Sequence, residues 1–236
     1  MRQLEYRLRR QLQKMGADLI GIGDVSDLAP DGYPRTIAIA KALPLHVLEQ
    51  EVPNGPTQEY INCYREINIQ LDAMADAAEM LLQQEGYRAH ALSRKNINWD
   101  RIAFSTPFPY KTSATRAGLG WIGKCALLVT PEFGSGIRLT SVLTDAPLPT
   151  AEAVLKSRCG ACTACVDICP AGAITNTLWH TEISRAELVD VYRCDQVARD
   201  IAEEKLGERT TMCGKCFAAC PYTKAYIRRK KAQSDS

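Results

Sequence analysis

Ten cysteines are the residues of this chain best suited to chemistry, and eight of them lie between positions 159 and 220. The first run of four ends at a proline and reads Cys159-x2-Cys162-x2-Cys165-x3-Cys169-Pro170. This spacing is typical of proteins with two [4Fe–4S] clusters, in which the fourth cysteine of a run ligates the other cluster. The run therefore predicts a pair of iron–sulfur clusters.

The second cysteine run is incomplete. It reads Cys213-x2-Cys216-x3-Cys220-Pro221, and Thr210 stands where its first cysteine would fall. Cys194 is the nearest unassigned thiol, so we expect it to act as the substitute. One cluster then takes Cys159, Cys162, Cys165 and Cys220, and the other takes Cys169, Cys194, Cys213 and Cys216. Because every iron then has a thiolate ligand, we expect the clusters to carry electrons and not to bind substrate.

A zinc site is the main alternative for the two cysteine runs, and two further cysteines lie outside them. Pairs of the CxxC type also build four-cysteine zinc sites, but two runs that end in Cys-Pro favour iron–sulfur clusters. Cys63 lies among apolar residues of a predicted helix, which indicates a structural thiol. Cys125 follows a glycine-rich string and is either a core residue entering a strand or a thiol that faces a cofactor.

Composition indicates a globular chain without a membrane span. The chain has 236 residues, of which 46% are hydrophobic, and its formal net charge of +2 does not point to nucleic acid or a membrane. It contains no apolar run of the roughly eighteen residues that a spanning helix needs. The first ten residues have no apolar signal-peptide segment, so we expect the reducing cytoplasm, where cysteines more often bind metals than form disulfides.

The pattern of apolar residues predicts an α+β fold in two domains. An α/β domain over 1–150 is followed by a cysteine-rich domain over 151–236 with a helical insertion at 182–204. Apolar spacing predicts helices at 2–15 and 57–85. We expect a loop at 44–57 and a frayed basic tail at 228–231. Strands are predicted at 17–25, 36–43, 87–92 and 101–104, with a hairpin of 126–130 and 137–144.

A glycine motif, Gly118-x-Gly120-x-x-Gly123, matches the dinucleotide-binding fingerprint. That fingerprint follows a strand directly and opens a long helix. Here the preceding segment is polar and carries two prolines, and Pro131 comes too soon for such a helix. We expect these glycines instead to let the backbone pass close to a bulky ligand or another strand.

The segment 111–124 resembles the epoxyqueuosine reductase family, which is related to reductive dehalogenases. It reads Lys-Thr-Ser-Ala-Thr-Arg-Ala-Gly-Leu-Gly-Trp-Ile-Gly-Lys, and the resemblance continues through 136–145 and both cysteine runs. It implies a nitroreductase-like α/β domain that holds cobalamin, followed by a ferredoxin-like domain with two [4Fe–4S] clusters. Electrons would pass through the clusters to cobalt. The candidate cofactor-binding residues are Arg116, Gly118, Gly120, Trp121, Gly123, Lys124 and Cys125.

Two departures from the family concern its substrate. Members that act on tRNA carry an acidic residue before the glycine string, whereas this chain has Phe104 there and Asp100 as the nearest acid. The chain also ends soon after Cys220, without the longer extension of many such members. Both departures argue against tRNA, and the basic tail alone is weak evidence for it. We expect a small-molecule or modified-nucleoside substrate.

The proton donor is sought in the loop before the glycine string. Tyr110 and Lys111 are the catalytic candidates, because a neighbouring cation favours the phenolate and increases the acidity of a tyrosine. Asp100 and Cys125 are weaker candidates. The electron donor is expected to be a ferredoxin or flavodoxin. Alternative functions are a two-cluster electron carrier without cobalamin and a flavin-dependent reductase.

Overall fold

The computed structural model describes residues 2–28 and 32–234 and has a mixed fold of helices and strands. In chain order the elements are α1 (Arg2–Lys14), β1 (Leu19–Asp24), β2 (Arg35–Ala42), α2 (Leu45–Asn54), α3 (Gln58–Gln84), β3 (Ala89–Ala91), α4 (Tyr110–Arg116), β4 (Trp121–Ile122), β5 (Leu128–Val129), β6 (Ile137–Thr144), α5 (Ala164–Asp167), α6 (Val191–Leu206), α7 (Lys215–Ala219) and α8 (Pro221–Ser234).

The chain divides into two compact units, and neither is continuous in sequence. The first, which we call the sheet unit, comprises Met1–Lys41, Glu66–Gly120 and Arg138–Leu155. The second, the cysteine unit, comprises Ala42–Arg65, Trp121–Ile137 and Lys156–Ser236. These units differ from the contiguous domains predicted at 1–150 and 151–236, because the cysteine unit also takes two segments from the first 150 residues.

A four-stranded sheet in the order β1-β2-β6-β3 organises the sheet unit. The first two strands pair antiparallel with Leu19 opposite Ala40, and the last two pair antiparallel with Ala89 opposite Thr144. Helix α1 buries one stripe of leucines at four-residue spacing, Leu4, Leu8 and Leu12. Each fully buried leucine stabilises the fold by about 2 kcal/mol relative to leaving it exposed.

Two glycines of β1 allow helix α4 to approach the sheet closely. A Cβ on Gly21 would lie 2.5 Å from the carbonyl oxygen of Ala117, and one on Gly23 would lie 2.5 Å from the carbonyl carbon of Arg116. Since real Cβ atoms do not come that close to backbone, only glycine fits at these two positions.

Short and longer helices and a two-strand hairpin build the cysteine unit. Strands β4 and β5 pair with Trp121 opposite Val129. Helix α6 begins where the Asp190 carboxylate accepts a hydrogen bond from the Arg193 amide, and it ends at Gly207 in the left-handed conformation. The helical insertion predicted at 182–204 therefore begins later, at Val191, after a short 3-10 turn over Arg185–Glu187.

Three predicted elements are wrong. The expected loop at 44–57 contains helix α2, because Pro44 and Gly55 flank the helix at its two ends instead of interrupting it. The expected strand at 101–104 is a turn, in which the Asp100 carboxylate accepts from the amides of Ile102 and Ala103. The expected hairpin of 126–130 with 137–144 does not form, since β5 pairs with β4 and β6 joins the large sheet.

The basic tail is also more ordered than predicted. Residues 228–231 lie within helix α8. The Lys231 ammonium forms an ion pair with the Glu49 carboxylate at 2.8 Å, and Arg229 donates to the carbonyl oxygen of Glu132. The tail therefore folds against other parts of the cysteine unit and is not frayed through residue 234.

Candidate functional site

The first cysteine run forms a tight loop that leads into a single helical turn. The amide of Cys162 donates to the carbonyl of Cys159 at 3.2 Å, and Gly160 between them has a left-handed φ of 54°. Helix α5 follows, and the amide of Cys169 closes its end by donating to Val166. A loop with this curvature lets three successive thiols face one side, as ligands of one cubane must.

Cysteines that are distant in sequence come together in two groups. Burial raises the pKa of the Cys194 thiol, and the neighbouring Cys169 and Cys213 raise it further. Burial likewise raises the pKa of Cys220, and Cys159 lies close enough to contribute. Each group falls within one of the two predicted ligand sets. Thiols held close enough to oppose one another's ionisation suit a cationic cluster, which binds them as thiolates.

Helix α8 begins next to Cys220 and supports its sulfur. The backbone amides of Tyr222 and Thr223 donate to the Cys220 thiol and favour its ionised form. The Thr223 hydroxyl is buried and accepts from the amide of Ser135 at 3.0 Å. The start of α8 thus orients one predicted ligand sulfur and supplies it with hydrogen bonds, as is usual around metal-bound thiolates.

Trp121 carries a buried hydrogen-bond donor, its indole N–H, and packs against residues that lie close in sequence to Cys159 and Cys220. Its ring is 1% exposed, and its indole nitrogen has no hydrogen-bond partner within the described part of the chain. The Tyr222 ring packs on it at a centroid distance of 5.0 Å, and the Arg158 guanidinium lies 5.6 Å from its centroid. In sequence Tyr222 comes two residues after Cys220, and Arg158 directly precedes Cys159. A buried donor without an acceptor here fits a cluster, whose sulfurs accept hydrogen bonds.

Lys124 and Cys125 lie against the cysteine loops. Lys124 is 4% exposed and donates from Nζ to the Cys162 carbonyl at 2.9 Å and to the Asn176 side chain at 2.7 Å. The pKa of the Cys125 thiol is raised above its ordinary value, and Cys165 and Cys216 are near enough to influence it together with burial. Cys125 stays a candidate for either a core thiol or a thiol facing a cofactor, whereas both hydrogen bonds of Lys124 go to protein groups.

Glu51 is a site residue that the sequence prediction missed. Its Oε1 accepts from the amide and hydroxyl of Thr57 at 2.9 and 2.6 Å, while Oε2 has no partner among the described residues. A Cβ on Gly214, between Cys213 and Cys216, would lie 2.3 Å from that Oε2. Burial raises the pKa of this carboxyl. No motif marks Glu51, because helix α2 alone brings it to the loop.

The remaining candidates of the glycine string are divided between the two units. The Arg116 guanidinium pairs with both carboxylate oxygens of Asp27 at 2.7 and 3.0 Å. Gly118 has a φ of 71°, and a Cβ there would lie 2.9 Å from the Glu152 carbonyl. Gly120 ends this segment of the unit, while Gly123, like Trp121, belongs to the cysteine unit. A Cβ on Gly123 would lie 2.9 Å from the Val129 side chain. The glycines let the backbone pass close to other chain segments.

Tyr110 has a higher pKa than predicted. Its hydroxyl donates to the Leu92 carbonyl at 2.6 Å, and burial, with the Asp72 charge nearby, raises its pKa to about 12. The expectation that Lys111 makes it more acidic is therefore wrong in direction. Lys111 follows it in helix α4 and is partly buried. Phe104, at the position of the family acid, has a left-handed φ of 50°.

Buried hydroxyls without partners mark the interior of the sheet unit. Ser93 and Ser141 are both fully buried, and their hydroxyl oxygens have no hydrogen-bond partner among the residues that the structure describes. The two lie on adjacent backbone segments, since the Leu92 amide donates to the Ser141 carbonyl. Unsatisfied buried hydroxyls are costly, and both side chains are enclosed by the packing of the unit itself.

Residues 2–28 and 32–234 contain neither a compact single-metal site nor a membrane-spanning helix. In these ranges no three His, Cys, Asp or Glu side chains converge on a point that would hold one metal ion. The thiolates of a cubane bind four separate irons and need not converge in that way. Over the same ranges, no helix has the length and apolar character to cross a membrane.

The arrangement of the cysteines is that of a protein with two iron–sulfur clusters. Two groups of thiols come from two runs that each end in Cys-Pro, and helices hold them in place. Comparison with protein families agrees, because residues 158–223 match the family described as a 4Fe-4S double cluster binding domain. The C-terminal part of the chain is therefore a double-cluster iron–sulfur domain.

Full-length relatives identify the wider resemblance. The chain is 37% identical over 116 residues to the epoxyqueuosine reductase of Bacillus anthracis, covering 46% of this chain and 28% of that protein. It is 30% identical over 179 residues to the epoxyqueuosine reductase of Aliivibrio fischeri, covering 72% of this chain and 44% of the relative. The predicted resemblance to epoxyqueuosine reductases is confirmed. The chain spans less than half the length of these two relatives.

Solved structures share the fold over nearly the whole chain. An epoxyqueuosine reductase crystallised with an epoxyqueuosine-modified tRNA-Tyr stem loop has a TM-score of 0.61 at 21% identity, covering 95% of this chain and 66% of that one. A catabolic reductive dehalogenase in complex with 3-bromo-4-hydroxybenzoic acid has a TM-score of 0.71 at 17% identity, covering 96% and 33%. At these identities the likeness concerns the fold alone.

Proposed function

We propose that this protein is an iron–sulfur reductase that passes electrons through two [4Fe–4S] clusters to a cobalamin-type cofactor. The observation that carries the proposal is the double-cluster domain, joined in one chain to a sheet unit with epoxyqueuosine reductase-like sequence. Its eight cysteines provide a complete ligand set for two clusters. Clusters without an open iron position exchange electrons, and the sheet unit is left to hold the reacting groups.

The proposed ligand sets follow the crossed pattern of two-cluster proteins. One cluster is held by Cys159, Cys162, Cys165 and Cys220, and the other by Cys169, Cys194, Cys213 and Cys216. The closeness of Cys194 to Cys169 and Cys213 supports its use in place of the cysteine missing at Thr210. Cys159 lies near enough to Cys220 to help raise its pKa, which supports the exchange of the last cysteine between the two runs.

Cobalamin is the proposed organic cofactor, held in a nitroreductase-like sheet unit. One structural neighbour is a reductive dehalogenase whose structure suggests a mechanism for B12-dependent dehalogenation. Arg116, Gly118 and Gly120, the candidates that lie in the sheet unit, are proposed to contact it. When bound, low-valent cobalt supplies the electrons for reduction of the substrate. The electron donor is proposed to be a ferredoxin or a flavodoxin.

The substrate is proposed to be a modified nucleoside or a related small molecule. A related reductase has been crystallised with a modified tRNA stem loop, which supports a nucleoside. One related structure is described with its catalytic aspartate loop swung out of the active site. The family resemblance places Phe104 at the position of the acid, and Asp100 is occupied in closing its own turn. We therefore propose that the substrate differs from that of the tRNA-acting relatives.

Tyr110 and Lys111 stay our proposed proton donors. A tyrosine with a pKa of about 12 is protonated at neutral pH and can donate only to a strongly basic site. Tyr110→Phe and Lys111→Ala should keep the iron content and cofactor binding while losing turnover with the acceptor that the wild type reduces. Turnover at the wild-type rate in both variants would mean that the protons come from other groups.

Gel filtration tests the cofactor directly. Anaerobic protein is incubated with hydroxocobalamin, or with FMN in a parallel sample, and the protein fraction is scanned for corrinoid or flavin absorbance. We expect corrinoid to co-elute with the protein at about one molecule per chain, as for a single binding site. FMN should not co-elute. Co-elution of FMN alone would favour a flavin reductase, and co-elution of neither would favour a two-cluster electron carrier.

A further inference from the structure

Two segments that carry proposed ligands of one cluster are strongly basic. The segment 156–160, which contains Cys159, reads Lys-Ser-Arg-Cys-Gly, and the segment 220–231 reads Cys-Pro-Tyr-Thr-Lys-Ala-Tyr-Ile-Arg-Arg-Lys-Lys. The first holds two Lys or Arg residues, the second holds five, and neither holds an Asp or Glu. The whole chain, in contrast, has 29 basic and 27 acidic residues. Positive charge is therefore concentrated beside Cys159 and Cys220.

Packing on Trp121 brings these two segments together. The Tyr222 ring lies 5.0 Å from the Trp121 ring between centroids, and the Arg158 guanidinium carbon lies 5.6 Å from the same centroid. Trp121 is buried, whereas Tyr222 is 37% exposed and Arg158 is exposed. Arg158 and Tyr222 therefore meet at the surface of the cysteine unit, although they are far apart in sequence.

Helix α8 adds two cations on one face. Lys224 and Arg228 are exposed, while Thr223 and Tyr226 are buried on the other side of the helix. Residues four positions apart are neighbours on a helix surface. The Lys224 amide donates to the Cys220 carbonyl at 2.9 Å, so the first of these cations lies one helical turn from a proposed ligand.

The protein itself engages the far end of α8 but not its beginning. The Lys231 ammonium is neutralised by the Glu49 carboxylate at 2.8 Å. Lys224 and Arg228 have no ion-pair partner within residues 2–28 and 32–234. Their charges are therefore free to attract a negatively charged partner from solution.

Cations beside a cluster favour an acidic protein that exchanges electrons. Complementary charge raises association rates by about 10- to 1,000-fold and orients the two proteins. Electron exchange also requires that the redox group of the partner come close to the cluster. Such short-lived contacts bury less than about 1,200 Å², so a small surface is sufficient. An exposed aromatic ring among cations matches the apolar centre and polar rim of protein interfaces.

We propose that Arg158, Tyr222, Lys224 and Arg228 form a docking surface for the acidic electron-carrier protein that reduces the clusters. This inference rests on the proposed function, which requires such a donor, and it adds where the donor binds and by what chemistry. In each encounter the carrier is oxidised by one electron and the adjacent cluster is reduced by one electron. No bond forms or breaks, and the carrier then dissociates.

The test compares double charge variants of the full-length protein, purified anaerobically. Lys224→Glu/Arg228→Glu reverses the charge of the docking surface, and Lys224→Gln/Arg228→Gln only removes it. Arg10→Glu/Lys14→Glu is the matched control, because these exposed cations have the same four-residue spacing on helix α1 and the reversal changes the net charge equally.

Stopped-flow mixing measures how fast each protein exchanges electrons with a carrier. The clusters are reduced with dithionite, desalted, and mixed with an oxidised acidic flavodoxin or, in parallel, with an oxidised acidic ferredoxin. The docked complex is the same for either direction of electron flow, so the second-order rate constant reports docking. A small uncharged quinone replaces the carrier in a second series, and iron is measured on every sample.

We expect the rate constant at low salt to be about tenfold lower in Lys224→Glu/Arg228→Glu than in the wild type, because like charges then face each other. Lys224→Gln/Arg228→Gln should lie between the two. The differences should shrink as salt screens the charges. The Arg10→Glu/Lys14→Glu control should match the wild type. All proteins should contain the same iron and react equally with the quinone, since the variants alter docking and not the clusters.

Equal rate constants with the carriers in all proteins would overturn the inference, and so would failure of the wild-type clusters to react with either carrier. Salt-dependent binding of tRNA that is lost in Lys224→Glu/Arg228→Glu, with electron exchange unchanged, would assign the surface to nucleic acid and overturn it as well. A wild type without iron–sulfur clusters would overturn the proposed function too, whereas equal rate constants would leave that function standing.

Discussion

The cysteine unit and the sheet unit place their polar groups by different means. In the cysteine unit, short helices and tight turns carry closely spaced thiols, and most of the site is local in sequence around Cys159–Cys169 and Cys213–Cys220. In the sheet unit, the unpartnered hydroxyls of Ser93 and Ser141 come from segments far apart in the chain. Closely spaced ligands can be recognised from one segment of the sequence. Polar groups that meet only when distant segments pair in a sheet cannot be recognised in this way.

The largest expected effect is the loss of one cluster on replacing Cys194. Cys194→Ser should reduce the iron content from about eight to about four per chain, because one cluster loses a thiolate while the other keeps all four. Cys63→Ser is the matched control and should keep the full content. Iron analysis after anaerobic desalting makes the comparison. Full iron in Cys194→Ser would show that another group completes the second ligand set.

Two glycines of the cysteine unit allow the energetic cost of backbone strain to be distinguished from the cost of a steric clash. Gly134 has a φ of 59°, and a Cβ there would lie 2.2 Å from the Thr223 amide nitrogen at the start of α8. Gly207 has a φ of 66° with open space around it. Alanine in the left-handed region costs about 1 kcal/mol, and overpacking adds about 1–3 kcal/mol.

We therefore expect Gly134→Ala to lower the free energy of unfolding by about 3 kcal/mol, and Gly207→Ala by about 1 kcal/mol. Urea unfolding of the anaerobic proteins, followed by circular dichroism, measures both. Equal losses in the two variants would mean that the turn at Gly134 moves away from α8 without cost.

The smallest expected effect concerns Tyr110 in the sheet unit. Tyr110→Phe removes the hydrogen bond to the Leu92 carbonyl and should lower the free energy of unfolding by about 1 kcal/mol at neutral pH. The pKa of Tyr110 is raised to about 12 in the folded protein, above its ordinary value of about 10 in the unfolded chain. Its stabilising contribution is thus complete below about pH 10 and is lost as the pH rises toward about 12.

The difference between the wild type and Tyr110→Phe should therefore shrink between about pH 10 and about pH 12. Tyr6→Phe, which alters an exposed ring of α1, is the control and should show no such trend. Unfolding curves at several alkaline pH values provide the measurement. A constant difference across this range would contradict a buried, neutral Tyr110.

Sequence alone indicated a mixed fold, helices α1 and α3, the first three strands and the double-cluster character of the C-terminal part. These depend on local periodicity and ligand spacing, which are visible in one segment at a time. It missed helix α2 and with it Glu51, because flanking Pro44 and Gly55 look like loop residues whether they end a helix or interrupt one. The pairing of β5 with β4 was missed because strand partners are chosen by tertiary packing.

The candidate site shows the same division. The candidate cofactor-binding residues at 116–125 are divided, because Arg116 and Gly118 belong to the sheet unit while Lys124 and Cys125 belong to the cysteine unit. Nothing in the spacing marks the boundary at Gly120. The direction of the Tyr110 pKa was also inaccessible, since burial outweighs the adjacent Lys111 only once the fold is known.

Metal analysis of the anaerobically purified chain tests the central claim most directly. Two [4Fe–4S] clusters predict about eight irons and about eight acid-labile sulfides per chain, with no stoichiometric zinc. They also predict reduced samples with electron paramagnetic resonance signals of [4Fe–4S]⁺ centres. Zinc bound in place of iron, with no acid-labile sulfide, would contradict the account.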